Sequence, residues 1–111
     1  MSTVTTLLDD MLESRIVDAP DIARVLGTTP RSVARWTTTG AEPRRQNEER
    51  LLELKAVIDV LREVMRDEPA RLWLRSPVPA LDYDKPMDLI EQGEYRRVIG
   101  AILSIGEGVT A

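Results

Sequence analysis

The sequence predicts an all-α protein, and three observations carry that reading. Apolar residues recur at intervals of three and four, as in Leu51, Leu54, Ile58, Leu61 and Met65, which is the period of one helix face. Gly, Pro and Thr separate the periodic segments at Gly27, Thr37 to Pro43, Pro77 to Pro79 and Gly93, and such residues end helices. No segment alternates apolar and polar residues as a half-buried strand would, and no internal repeat or low-complexity tract appears. A chain of 111 residues, 42% of them hydrophobic, suits one compact unit or two small subdomains sharing a core.

Taken in order, Val4, Leu7, Leu8, Met11 and Leu12 lie at helical spacing behind Ser2 or Thr3 as a cap, which predicts a first helix over about residues 3–16. A helix-turn-helix pattern occupies residues 19 to 36. Ile22, Ala23 and Leu26 share one face of a short helix, and Ala23 is small where two helices crossing steeply must approach closely. Gly27 follows, where a chain leaving a helix needs positive φ. Thr29 then reads as an N-cap and Pro30 as the first residue of the next helix. Val33 and Trp36 close back onto the first helix, which assigns Trp36 to the core. Thr37 to Pro43 reads as a loop.

A long helix is predicted from about Arg44 to Asp67. Leu52, Val57, Val60 and Val64 widen its apolar stripe beyond a coiled-coil seam, so it reads as a central core helix. Asp67 or Glu68 before Pro69 starts a short helix, Ala70 to Arg75. Ser76 to Tyr83, with two prolines, reads as irregular. Pro86 opens another helix with Asp88 in its first turn, and Gly93 closes it. The last helix runs from Glu94 to about Ile105, with Tyr95, Val98, Ile99, Ile102 and Leu103 toward the core. Gly106 to Ala111 forms a tail.

Several function classes are disfavoured. The chain has no cysteine and no histidine, which removes disulfides, thiolate metal sites and the commonest general base. Asp9–Asp10 and Glu48–Glu49 lie on helices with no nucleophile or phosphate-cradling loop beside them, so they read as solvated faces. No enzyme and no cofactor is expected. No apolar run is long enough to span a membrane. Ser2 to Asp10 lack a basic stretch followed by an apolar core, so a cytoplasmic protein is expected.

The net charge of −4 argues against nucleic acid, but its distribution does not. Residues 1–23 carry a net −4 and residues 51–111 a net −3, whereas residues 24–50, with six arginines against three glutamates, carry a net +3. The positive segment holds the second helix of the helix-turn-helix pattern. Arg31, Ser32 and Arg35 fall on its outer side, with Thr28 and Thr29 at its start, where such units contact bases. Arginine matches guanine O6 and N7. Arg44 and Arg45 follow the loop and face either phosphates or water. A monomer with so modest a local charge should bind DNA weakly. The wide stripe from Leu51 to Met65 predicts at least a dimer, which would present two such helices to a palindromic site.

The second half has a more specific order. Trp73-Leu74-Arg75-Ser76-Pro77-Val78-Pro79-Ala80-Leu81 is followed by Lys85-Pro86-Met87-Asp88-Leu89-Ile90, by Gly93-Glu94-Tyr95-Arg96-Arg97-Val98, and by Glu107-Gly108-Val109. This order resembles the C-terminal toxin-binding domain of the Xre/MbcA/ParS antitoxins over about residues 50–111. Pro30-Arg31-Ser32-Val33-Ala34-Arg35-Trp36 also looks like the family's helix-turn-helix, especially in its MbcA branch. One stretch departs: many members have Gly-Gly or similar before the second proline, where this chain has Asp82-Tyr83-Asp84-Lys85.

The resemblance implies an antitoxin of a type II toxin–antitoxin pair. Its partner would be a RES-domain toxin that consumes NAD+, held inactive in a homodimeric or higher-order complex, with repression of the shared operon as a second activity. It divides the chain into a DNA-binding region, 1–46, and a toxin-binding helical domain, 47–111. Trp73 and Tyr95 become toxin-contact candidates; on the residues alone Trp73 reads as core and Tyr95 as undecided. Gly108, Val109, Thr110 and Ala111 are either a frayed end or a tail whose carboxylate enters a cleft built for NAD+ phosphates. The competing reading is a stand-alone helix-turn-helix repressor whose C-terminal half only dimerises. A neighbouring gene for a RES-type protein would favour the antitoxin.

Overall fold

A computed structural model of the chain describes residues 3–108. Among them are seven α-helices and one short 3-10 turn: α1 (Thr3–Ser14), α2 (Ala19–Leu26), α3 (Pro30–Thr39), α4 (Arg45–Val64), α5 (Asp67–Leu74), the 3-10 turn (Pro79–Leu81), α6 (Pro86–Glu91) and α7 (Tyr95–Gly106). The described residues contain no strand, so the all-α expectation holds.

The helix ends have local causes. Asp18 caps α2 through a capping box: its carboxylate accepts from the Asp21 N–H at 2.9 Å, and the Asp21 carboxylate accepts from the Asp18 N–H at 3.0 Å. Gly27 leaves α2 at φ 69°, and Thr29 caps α3 by accepting from the Ser32 N–H at 3.1 Å. Helix α1 stops at Ser14, two residues short of the expectation, because Arg15 takes φ 61° and the Ser14 hydroxyl accepts from the Ile16 N–H. Helix α3 runs through the threonines read as loop. Thr37 and Thr38 donate to the Ala34 carbonyl and Thr39 to that of Arg35, and Gly40 at φ 72° ends the helix. Helix α4 stops at Val64 rather than Asp67, since Met65 and Arg66 are extended and α5 begins at Asp67, ahead of Pro69.

One buried cluster runs from Val4 to Ile102 and draws on all seven helices. Helix α4 lies at its centre, with Leu51, Leu54, Val57, Ile58 and Leu61 buried. Helix α1 packs on α3 and α4, and α2 on α3, α4 and α6. Ala23 is buried between its helices as expected. The pairing of α4 with α7 is parallel, because the Arg50 side chain lies against Gly93 before α7 and Val64 touches Gly106 at its end. Leu103, expected in the core, is 48% exposed. It sits on the flank of α7 beyond the α4 contact, whereas Val98, Ala101 and Ile102 point inward.

After Leu81 the chain reverses through Asp82 at φ 55° and Tyr83 at φ 66°, within the stretch from Asp82 to Lys85 that departs from the family pattern. The reversal is held by Tyr83 N–H to the Val78 carbonyl at 3.0 Å and Asp84 N–H to that of Leu81 at 3.0 Å. Two non-glycine residues therefore occupy backbone conformations that glycine adopts cheaply.

Candidate functional site: a basic helix face and an aromatic flank

The first candidate surface is the outer side of α3. With Val33 and Trp36 committed to the core, Arg31 and Arg35 fall on the exposed side, one turn apart. Thr29, Arg31, Ser32 and Arg35 line one shallow depression together. Thr28, Ser32, Arg35, Pro43, Arg44 and Asn47 line a cleft of about 580 Å³ between α3 and the start of α4. Six of the seven sequence-derived candidates, Thr28, Thr29, Arg31, Ser32, Arg35 and Arg44, thus meet on one continuous face. Arg45 lies beside it, exposed and 3.6 Å from Glu49.

Ion pairing separates the arginines of the positive segment. Arg24 bonds Asp88 and Glu91 and joins α2 to α6. These carboxylates raise its pKa. Arg50 pairs with Glu53 at 3.1 Å. Among the described residues, Arg31, Arg35 and Arg44 have no carboxylate partner. Glu42 lines the same cleft as Arg35 and Arg44 without pairing to either, so the three guanidinium groups can serve anionic ligands without first breaking an internal pair.

Sequence reasoning missed the frame behind this face. Arg75 bonds the Asp21 carboxylate and donates to the Ile16 carbonyl at 3.2 Å. Arg71 donates to the Arg15 carbonyl at 3.3 Å and stands 3.8 Å from Asp18. These links tie the cap of α2 to α5. Burial raises the Asp21 carboxyl above its ordinary pKa; the Asp18 N–H and Arg75 offset this only in part, and the Asp18 carboxyl reinforces it. Burial opposes ionisation of Asp18 as well, but the Asp21 N–H, the Asp21 side chain and both arginines outweigh it and hold Asp18 below its ordinary value. The partners are more than fifty residues apart, so no spacing signal could have paired them.

The second surface is the α5 and α7 side. Trp73 and Tyr95 are half-buried and pack against the core. Among the described residues, the Trp73 indole N–H and the Tyr95 hydroxyl have no hydrogen-bond partner, and neither atom is sealed from solvent. The Arg96 guanidinium lies 5.3 Å from the Tyr95 ring centre. Trp73 and Tyr95 sit on separate helices and no hydrogen bond joins them. Gly108 is exposed at φ 79°, two residues past α7. Val109, Thr110 and Ala111 lie outside the described residues. No described helix is long and apolar enough to cross a membrane.

Comparison with known proteins gives concordant matches. The family model for the antitoxin Xre/MbcA/ParS C-terminal toxin-binding domain matches residues 56–103. The mycobacterial cidal antitoxin MbcA of Mycobacterium tuberculosis H37Rv is 43% identical over 89 residues, covering 80% of this chain and 79% of that protein. A probable mycobacterial cidal antitoxin of the same organism is 30% identical over 110 residues, covering 91% of this chain and 94% of its own. Among solved structures, the crystal structure of the M. tuberculosis MbcT–MbcA toxin–antitoxin complex contains a chain that superposes with a TM-score of 0.88 at 35% identity, over 100% of both chains.

Proposed function

Because this chain belongs to the Xre/MbcA/ParS antitoxin family, we propose that it is the antitoxin of a type II toxin–antitoxin pair. It binds and neutralises a RES-domain toxin that degrades NAD+. The observation that supports this reading is the full-length similarity to a chain from a toxin–antitoxin complex. Residues 47–111 supply the docking body, with the free polar edges of Trp73 and Tyr95 at its surface. The tail from Gly108 to Ala111 reaches toward the toxin's active site.

Residues 1–46 supply a second, autoregulatory activity. The outer face of α3 enters the major groove of the operator with Arg31, Ser32 and Arg35 toward base edges. Thr28, Thr29, Arg44 and Arg45 contact the backbone. The unpaired state of Arg31, Arg35 and Arg44 supports this reading. The protein acts in the cytoplasm, where both toxin and operator would be met.

The test is co-expression with the product of the adjacent gene, co-purification, and measurement of NAD+ consumption by the toxin with and without this chain. A stable complex with suppressed NAD+ loss is expected. A chain that binds its promoter but neither co-purifies with nor silences the neighbouring protein would be a stand-alone repressor instead.

A further inference from the structure

The segment between α5 and α6 folds into a closed knuckle. Val78 and Leu81 are buried and anchor it in the core. The Val78 N–H donates to the Asp84 carbonyl at 3.2 Å, and the Val78 carbonyl accepts from the Leu81 and Tyr83 N–H groups at 2.9 and 3.0 Å. These bonds fix the backbone from 78 to 84 at both ends. With the anchors turned inward, Pro77, Pro79, Ala80 and Tyr83 are left exposed. Proline and alanine lose no side-chain freedom when covered, and tyrosine loses little for its area. The outer side is therefore an apolar and aromatic plate already held in shape, which is what association needs.

Tyr83 is the informative residue. It and Asp82 both lie in the left-handed region, and two successive side chains there are strained. No internal packing accounts for that strain. Tyr83 is 70% exposed and takes no part in the buried cluster. Two carboxylates border the ring. The Asp82 side chain is 94% exposed, with the Arg97 guanidinium 3.8 Å away. Asp84 is exposed and has no cation partner among the described residues. The neighbouring cations, Lys85 and Arg97, belong to the cap of α6 and to α7.

We propose that Tyr83, presented by this knuckle, is the anchor through which the chain selects its toxin. The ring docks into an apolar hollow bordered by Lys or Arg side chains on that protein, and Asp82 and Asp84 face the border. The choice of partner rests on the toxin reading above. A protein that acts on NAD+ gathers cations to receive two phosphates, and an aromatic anchor with an acidic edge complements such a surface. The knuckle lies beside the start of α7, and the tail leaves its end, about 18 Å away along 12 residues at roughly 1.5 Å each. Selection by the knuckle and inhibition by the tail are thus separable.

Titration calorimetry of the full chain with the purified product of the adjacent gene, beside the melting temperature of the chain alone, tests this. Tyr83→Asn relieves the strain and removes the ring. It should raise the melting temperature and yet weaken binding at least tenfold, whereas a residue with only a structural role would move both in the same sense. Asp82→Asn with Asp84→Asn keeps a residue that tolerates the left-handed region. That variant should slow association severalfold at low salt and little at high salt, and it reports independently of Tyr83→Asn. Parent-like affinity in Tyr83→Asn, a fall in its melting temperature, or association indifferent to the two carboxylates would each overturn the proposal. A parent chain that fails to bind the adjacent gene product would refute the toxin reading itself and this proposal with it, while a binding parent with indifferent variants refutes the knuckle alone.

Discussion

Replacing Arg31 and Arg35 together by Ala should remove operator binding and leave the protein intact. Both side chains are exposed and make no ion pair among the described residues, so the folded state loses no internal salt bridge. Ala is also the better helix former, and the expected stability change stays within about 0.5 kcal/mol. Binding should respond differently. Each base contact is worth roughly 1–3 kcal/mol. Losing two per protomer gives about 2–6 kcal/mol, a loss of affinity of roughly 30-fold or more. Arg44→Ala serves as the contrast. It borders the cleft from the α4 side, so a phosphate contact there should lower the salt slope by about 0.9 and leave sequence preference unchanged. Fluorescence anisotropy on the promoter fragment upstream of the chain's own gene, at several salt concentrations and beside scrambled DNA, reads both effects. Unchanged affinity in the Arg31/Arg35 variant would show that α3 does not read DNA, whatever its charge.

Deleting Gly108 to Ala111 should leave folding and toxin capture in place but release NAD+ consumption, because the cut lies beyond the last helix; full inhibition by the truncated chain would place inhibition in the docking body. Tyr83→Asn should raise the melting temperature, worth up to about 1 kcal/mol, since asparagine tolerates the left-handed conformation and the ring it replaces is 70% exposed; a lower melting temperature would mean that the ring contributes packing. Asp18 should make stability acid-sensitive. Its folded pKa lies below the ordinary value, so its contribution is present above that value and is lost as pH falls through the lowered one. Asp21, with its pKa raised, contributes in the opposite sense: its share is present in acid and lost as pH rises through the raised value. Asp18→Asn, which keeps a capping oxygen, should therefore flatten the acid limb of urea midpoints between neutral pH and about pH 3, while Asp18→Ala should cost about 1 kcal/mol at neutral pH through the lost cap. An acid limb as steep in Asp18→Asn as in the parent would dismiss that assignment.

The parts of this protein legible in its sequence are those with short-range causes. Gly27, Thr29 and Pro30 place the turn between α2 and α3 within a few residues, because cap, glycine and proline act on the backbone beside them. The period of Leu51, Leu54, Ile58 and Leu61 identified the central helix for the same reason. The end of α4 was less legible, since Asp67 and Pro69 start α5 where the periodicity still continues, and the threonines after Trp36 looked like loop although their hydroxyls fold back on the helix.

The tertiary structure decided which arginines are free and which apolar residues are surplus. Arg24, Arg31 and Arg35 are alike in sequence. Only packing brings Asp88 and Glu91 to Arg24 and leaves the other two open. Leu103 shares the helical period of Val98 and Ile102, yet α4 covers only part of the α7 surface and stops short of it. Periodicity states that a helix has an apolar face. How wide a face the neighbouring helix covers depends on crossing geometry and register, set by contacts such as Arg50 on Gly93 and Val64 on Gly106. These join residues more than forty positions apart, beyond the reach of any local pattern.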